Sequence, residues 1–157
     1  MIQLFRKILC PIDFSDHSMA ALDVALKVTQ QNEAKLYLLN VAPVPAGAAG
    51  FQPVPLDAYP FHEKDRQEEL TKLGRERIPA AVRYETLVIS GDPAERVLET
   101  ARSLAADVIV MGTRGHRGLS RLVLGSVAER VVRESPVPVL TVRAAAPVRN
   151  AFITGPR

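Results

Sequence analysis

The sequence predicts a single α/β domain, an open, parallel, five-stranded sheet with helices on both faces. Three observations carry that prediction. Short apolar runs alternate with segments of helical period from one end of the chain to the other, the order that builds βαβ units. The strand-like runs are apolar on successive residues, as in strands covered on both faces. The chain has 157 residues, 47% of them hydrophobic, which is one domain's length and enough to bury a substantial core. Crossovers in such a sheet are right-handed, and five strands at this spacing allow the order 3-2-1-4-5.

The first strand is Ile8-Leu9-Cys10-Pro11-Ile12. Ser15 or Asp16 can cap the helix that follows, whose apolar positions Ala21, Leu22, Ala25, Leu26 and Val28 keep helical spacing. The second strand runs from Lys35 to Val41. From Ala42 to Pro60 the composition changes: Pro43, Pro45, Gly47, Gly50, Pro53, Pro55 and Pro60 forbid a continuous helix or ladder. A long loop of this kind is usually functional or disordered. A charged helix over Phe61 to Arg77 leads to the third strand, Val82 to Ile89. Asp92, Pro93 and Glu95 read as the N-cap, first residue and capping-box return of a helix with Ala94, Val97, Leu98, Ala101 and Leu104 on one face. Asp107 to Met111 is the fourth strand, and Val137 to Val142 the fifth. The end of the chain, Ala144 to Arg157, has no clear period and reads as a tail, mobile or docked on a partner subunit. Residues 1–143 make up the domain.

Composition excludes several classes. The longest apolar runs are far short of a membrane span. The start Met1-Ile2-Gln3-Leu4-Phe5-Arg6-Lys7 lacks the apolar stretch of a signal peptide. The expectation is a cytoplasmic protein that does not enter a membrane. One cysteine, Cys10, agrees with a reducing compartment and reads as a small buried core residue. His17, His62 and His116 are too far apart for metal-ligand spacing. The net charge is +3. With no run of consecutive Lys and Arg and no aromatic platform, nucleic-acid binding is not expected.

The fourth strand is followed by Gly112-Thr113-Arg114-Gly115, then nine residues, then Gly125-Ser126 and a helix beginning Val127-Ala128-Glu129. Glycines let backbone N–H groups approach an anion. A helix start adds unpaired donors and the positive end of its dipole. This combination reads as a phosphate cradle. It is not a Walker A loop, since the chain has no Gly-Lys pair, and the spacing Gly112-x-x-Gly115-x-x-Gly118 is not the dinucleotide fingerprint. The alternative is a glycine-bearing loop without a ligand. In the order 3-2-1-4-5 the switch point falls between strands 1 and 4, where ligands bind at the carboxyl ends of strands. Pro11, Ile12 and Asp13 follow strand 1, and Gly112 to Gly115 follow strand 4, so topology and glycines select one place.

The pattern Gly-2x-Gly-9x-Gly-Ser resembles the ATP-binding signature of the universal stress protein family. Lys7 to Ser15 resembles that family's first strand and its exit, and Leu36 to Val41 its second strand. Gly91-Asp92-Pro93-Ala94-Glu95 resembles the turn into its third helix, and Ser135 to Arg143 its final strand. The resemblance covers residues 5–143. It implies a Rossmann-like fold of the adenine nucleotide alpha hydrolase type, with ATP, ADP or AMP bound together with Mg2+. Topology and resemblance together make Pro11, Ile12, Asp13, Val41, Met111, Gly112, Thr113, Arg114, Gly115, Gly125, Ser126 and Val127 the candidate binding residues. The resemblance places adenine near Pro11 and Val41, the latter contributing its backbone N–H and C=O. It also implies a homodimer formed through Val139 to Val142 of the fifth strand.

Individual residues have competing roles. Asp13 can accept hydrogen bonds from ribose hydroxyls or help hold a metal ion, or it can cap the first helix. Ser126 to Glu129 reads as a capping box, while the Ser126 hydroxyl and the N–H groups of Ser126 and Val127 can instead meet phosphate oxygens. Gly125 removes a side chain that would block the phosphate. Arg114 and Arg117 can clamp phosphate or face solvent. No catalytic residue stands out, because phosphoryl transfer needs a placed nucleophile and concentrated positive charge. The expected function is a homodimeric, nucleotide-dependent switch or sensor in stress response, read by an unidentified protein partner, with at most slow ATP hydrolysis. The alternatives are a nucleotide-free dimeric stress scaffold and an adenylate-using enzyme of another α/β family.

Overall fold

Among the described residues, nine elements follow one another: β1 (Lys7–Pro11), α1 (Asp16–Asn32), β2 (Lys35–Ala42), α2 (Glu63–Arg77), β3 (Arg83–Ser90), α3 (Pro93–Leu104), β4 (Val108–Gly112), α4 (Ser126–Glu134) and β5 (Val139–Val142). They come from a computed structural model, which describes residues 4–42, 44, 63–114 and 124–145. The strands form one parallel sheet in the order β3-β2-β1-β4-β5, as the sequence predicts. Most of the Pro-rich stretch, the loop from Gly115 onward and most of the tail lie outside the described residues.

Both sheet faces are buried, which explains the unbroken apolar runs. Ile8, Cys10, Leu36, Leu38 and Val110 turn to one side and pack with Ala21, Leu22 and Ala25 of α1 and Leu70 of α2. Leu9, Leu39, Ile109 and Met111 turn to the other side, against Val97, Leu98 and Ala101 of α3 and Ala128 and Val131 of α4. Each fully buried Leu or Ile contributes about 1.5–3 kcal/mol. Cys10 lies within this core, as its sequence context suggests.

Local chemistry sets the element ends. Ser15 is the N-cap of α1, accepting from the Ser18 N–H at 3.3 Å. Asp92 caps α3, accepting from the Glu95 N–H at 2.9 Å, with Pro93 in the first turn. The first strand stops one residue short of the predicted Ile12. The Ile12 N–H still donates to the Leu39 carbonyl at 2.8 Å, but its own carbonyl leaves the sheet. The fifth strand starts at Val139 rather than Val137. Pro138 has no N–H for the ladder, although its carbonyl accepts from Ile109 N–H at 3.0 Å.

Candidate functional site

Strands of unequal length open a crevice at the carboxyl edge of the sheet. The β1–β4 ladder holds Ile8↔Val108 and Leu9↔Ile109, while β1 continues to Pro11 and β4 to Gly112. The two strands part at the point where the strand order reverses. On the other side β1 pairs with β2 as far as Pro11↔Leu39, whereas β2 stays with β3 as far as Ala42↔Ser90. The Leu39 carbonyl faces β1, since it accepts from Ile12. By the two-residue period of a strand, the N–H and C=O of Val41 face the same way. They look into the space that β1 vacates, a donor and an acceptor side by side.

The crevice encloses about 100 Å³. Eight of the candidate residues line it: Pro11, Ile12, Asp13, Val41, Met111, Gly112, Arg114 and Val127. Thr113, Gly125 and Ser126 adjoin these along the chain, and Gly115 lies outside the described residues. Ser18, Leu39, Pro93 and Val97 also line it, and the sequence reading missed them as site residues. Pro93 and Val97 carried a signal, since they sit one turn apart behind the capped turn Gly91-Asp92-Pro93. A larger hollow of about 350 Å³, lined by Thr29, Gln30, Glu33, Ala34, Ala81, Val82 and Arg83, lies at the opposite edge of the sheet. The switch-point rule favours the smaller crevice.

Asp13 is exposed in a tight turn after β1. Its Oδ1 accepts from the Ser15 N–H at 3.0 Å and from the Ser15 hydroxyl. Of the three expected caps of α1, Ser15 is the N-cap, Asp16 is the first helical residue, and Asp13 orients Ser15 rather than capping the helix itself. Among the described residues, Asp13 is the one carboxylate lining the crevice and Arg114 the one cation.

The glycines have packing roles. A Cβ on Gly112 would sit 2.7 Å from the His17 carbonyl carbon and 2.9 Å from its oxygen, so only glycine lets β4 pass the first turn of α1. Gly125 donates its N–H to the Thr113 carbonyl at 2.7 Å, and a Cβ there would lie 3.1 Å from that oxygen. Gly125 thus fixes the start of α4 beside the exit of β4, and its N–H is engaged within the protein. This corrects the capping-box reading. Gly125 is the N-cap, Ser126 is the first helical residue, and no side chain caps α4. A local pattern could not anticipate the Thr113 bond that sets this register. The first-turn donors of α4 therefore remain uncapped by any side chain, next to Val127 in the crevice wall.

His17 clasps the same region. Its Nδ1 accepts from the Ala144 N–H at 3.0 Å and lies 3.3 Å from the Thr113 hydroxyl. An acceptor Nδ1 places the ring proton on Nε2. Dismissing the histidines for lack of metal spacing overlooked this contact, which joins α1 to the exits of β4 and β5. Among the described residues, no group of three His, Cys, Asp or Glu side chains could hold a metal. Burial pushes the Cys10 thiol well above its usual range, so it is no nucleophile here. No helix of the described residues is long and apolar enough to cross a membrane.

Comparison with known proteins agrees with this architecture. The model of the universal stress protein family matches residues 4–143. A universal stress protein of Thermus aquaticus is 36% identical over 146 residues, covering 89% of this chain and 100% of its own. Universal stress protein MJ0531 of Methanocaldococcus jannaschii is 34% identical over 145 residues, covering 89% and 83%. Among solved structures, the universal stress protein UspA from Lactobacillus plantarum aligns with a TM-score of 0.69 at 26% identity, covering 88% of this chain and 97% of that one. Two more share the fold at lower identity. One is a universal stress protein in complex with cAMP, with TM-score 0.64, 23% identity and coverage of 90% and 98%. The other, from Archaeoglobus fulgidus, is in complex with dAMP, with TM-score 0.58, 19% identity and coverage of 88% and 98%.

Proposed function

The chain belongs to the universal stress protein family, and from that premise we propose that it binds ATP and acts as a homodimeric, nucleotide-dependent switch in stress response. One observation carries the reading. A single crevice at the switch point brings together Asp13, the open backbone pair of Val41, and the start of α4 at Val127. In this reading Val41 supplies a donor and an acceptor for the adenine edge, Asp13 an acceptor for the ribose hydroxyls, and the start of α4 donors for phosphate. That relatives of the same fold were solved with cAMP and with dAMP supports an adenine nucleotide as the ligand class.

In this reading Pro11, Ile12, Val41 and Met111 enclose the base. The N–H groups of Ser126 and Val127 meet phosphate, aided by Arg114, Thr113 and the loop through Gly115. Gly112 and Gly125 serve by holding β4 and α4 in register. Mg2+ would accompany the nucleotide's phosphates, and Asp13, the one carboxylate among the described lining residues, could help hold it. Fast phosphoryl transfer needs a placed nucleophile and concentrated positive charge; in this reading hydrolysis is slow at most. ADP or AMP would mark the spent state. The protein works in the cytoplasm, residues 1–143 form the switch domain, and residues 144–157 form a tail that offers a surface to a protein partner. The rival is a dimeric scaffold without nucleotide.

The test is to denature freshly purified protein and identify released nucleotide by chromatography and mass spectrometry. Occupancy of about one adenine nucleotide per chain is expected. Nucleotide at about 100 times its Kd stabilises by about 2.7 kcal/mol, an upward Tm shift on the order of 5–10 °C for a domain of this size. An empty protein with no shift in magnesium-ATP would overturn the reading in favour of the scaffold.

A further inference from the structure

Asn40 breaks the pattern of its strand. Leu36 and Leu38 share its face of β2 and lie in the apolar core, yet the next position on that face is an amide only 1% exposed. A buried amide must be hydrogen-bonded or it destabilises the core. Here both ends are satisfied, and by partners that fix its orientation. Arg66 of α2 donates from Nη1 to Asn40 Oδ1 at 3.0 Å. Asn40 Nδ2 donates to the Ile12 carbonyl at 2.7 Å. A guanidinium can only donate and a carbonyl can only accept, so the amide has one way round.

The carbonyl it holds opens the turn that carries Asp13. That turn is strained: Phe14 has φ of 63°, a left-handed conformation that a bulky side chain rarely adopts. Such strain persists only where the surroundings over-determine it. Asn40 anchors one side of Phe14 through Ile12. The Asp13–Ser15 contacts anchor the other.

We propose that Arg66 and Asn40 form a positioning relay that holds the Asp13 turn in its strained form, so that recognition of ribose hydroxyls depends on a surface helix. The relay rests on the nucleotide reading of the crevice for its ligand, and on geometry alone for its effect on the turn. It also connects α2 to the site. By reciprocity, a nucleotide that engages Asp13 stabilises the docking of Arg66.

The test uses the full chain, its Asn40→Leu variant, which matches the amide in size, and Arg66→Met, which keeps the apolar stem. Hydrogen exchange is followed over residues 12–15, and titration calorimetry compares ATP with 2′,3′-dideoxy-ATP. A hydrogen bond to a charged group gives the parent protein a preference for ATP of about tenfold or more. In Asn40→Leu that preference collapses to about onefold, dideoxy-ATP affinity stays within about twofold, and exchange at the Asp13–Ser15 amides accelerates by about tenfold or more. Arg66→Met likewise lowers the preference and accelerates exchange while leaving dideoxy-ATP affinity in place, and it stands in if Asn40→Leu fails to fold. Unchanged exchange, or equal weakening of both nucleotides, overturns the relay. If the parent protein binds neither nucleotide, the nucleotide reading fails, and the exchange result alone supports or overturns the relay.

Discussion

Ser126 is the first residue of α4, and its neighbours' N–H groups leave the helix end without a capping side chain. An acidic side chain here interacts favourably with the helix dipole but repels any phosphate at the same donors. The substitution Ser126→Asp therefore separates helix stability from ligand binding. Stability without nucleotide should hold or rise by about 0.3–1 kcal/mol, read from urea unfolding. ATP affinity should fall by roughly tenfold or more, since about 1.4 kcal/mol of repulsion is a tenfold change. If affinity does not change, phosphate does not rest on α4. At this scale the sequence was a partial guide. It named Ser126, Gly125 and Gly112 and gave both glycines to phosphate; their packing against the Thr113 carbonyl and the His17 backbone was not legible, because the fold alone brings those atoms close.

Among elements, α3 and α4 form one wall of the crevice through Pro93, Val97 and Val127. Asp92 joins them: it caps α3 at the Glu95 N–H and accepts from Arg130 Nη1 of α4 at 2.9 Å. The two side chains of this ion pair are 40% and 51% exposed, so its contribution is about 0–1 kcal/mol. The cap contributes about 1 kcal/mol. Asp92→Asn keeps the cap and should melt close to the parent. Asp92→Ala should lose about 1 kcal/mol, or about 2–4 °C in Tm. Equal losses in thermal melts would mean that the ion pair, and not the cap, holds this wall. The cap was legible in the sequence because Asp92, Pro93 and Glu95 act within one turn. Arg130 was not, since nothing local ties it to a residue 38 positions earlier. The same holds for Arg66 and Asn40, 26 positions apart, and for His17 and Ala144, 127 apart.

For the whole molecule, alternation and burial pattern made the sheet class readable, and the strand spacing together with the family resemblance gave the strand order that the sheet adopts. That order leaves two edges, β3 and β5, with different chemistry. β3 presents exposed Arg83 and Glu85, and Glu85 pairs with Lys35 at 2.8 Å. Charges along an edge discourage pairing with another chain. β5 is Val-Leu-Thr-Val, without a charge, and its Leu140 is 42% exposed. Val132 of α4, 46% exposed, adds an apolar residue elsewhere on the surface. If copies of this chain associate through a sheet edge, the physics selects β5. Leu140→Lys places a charge on that edge without touching the crevice. Sedimentation velocity should then show a monomer where the parent chain is a dimer, with Tm lowered only by the lost association. A dimer that survives Leu140→Lys would move the interface away from β5. Nucleotide retention by the monomer would show that each chain completes its own crevice, and that the switch acts on dimer surfaces rather than through a shared site.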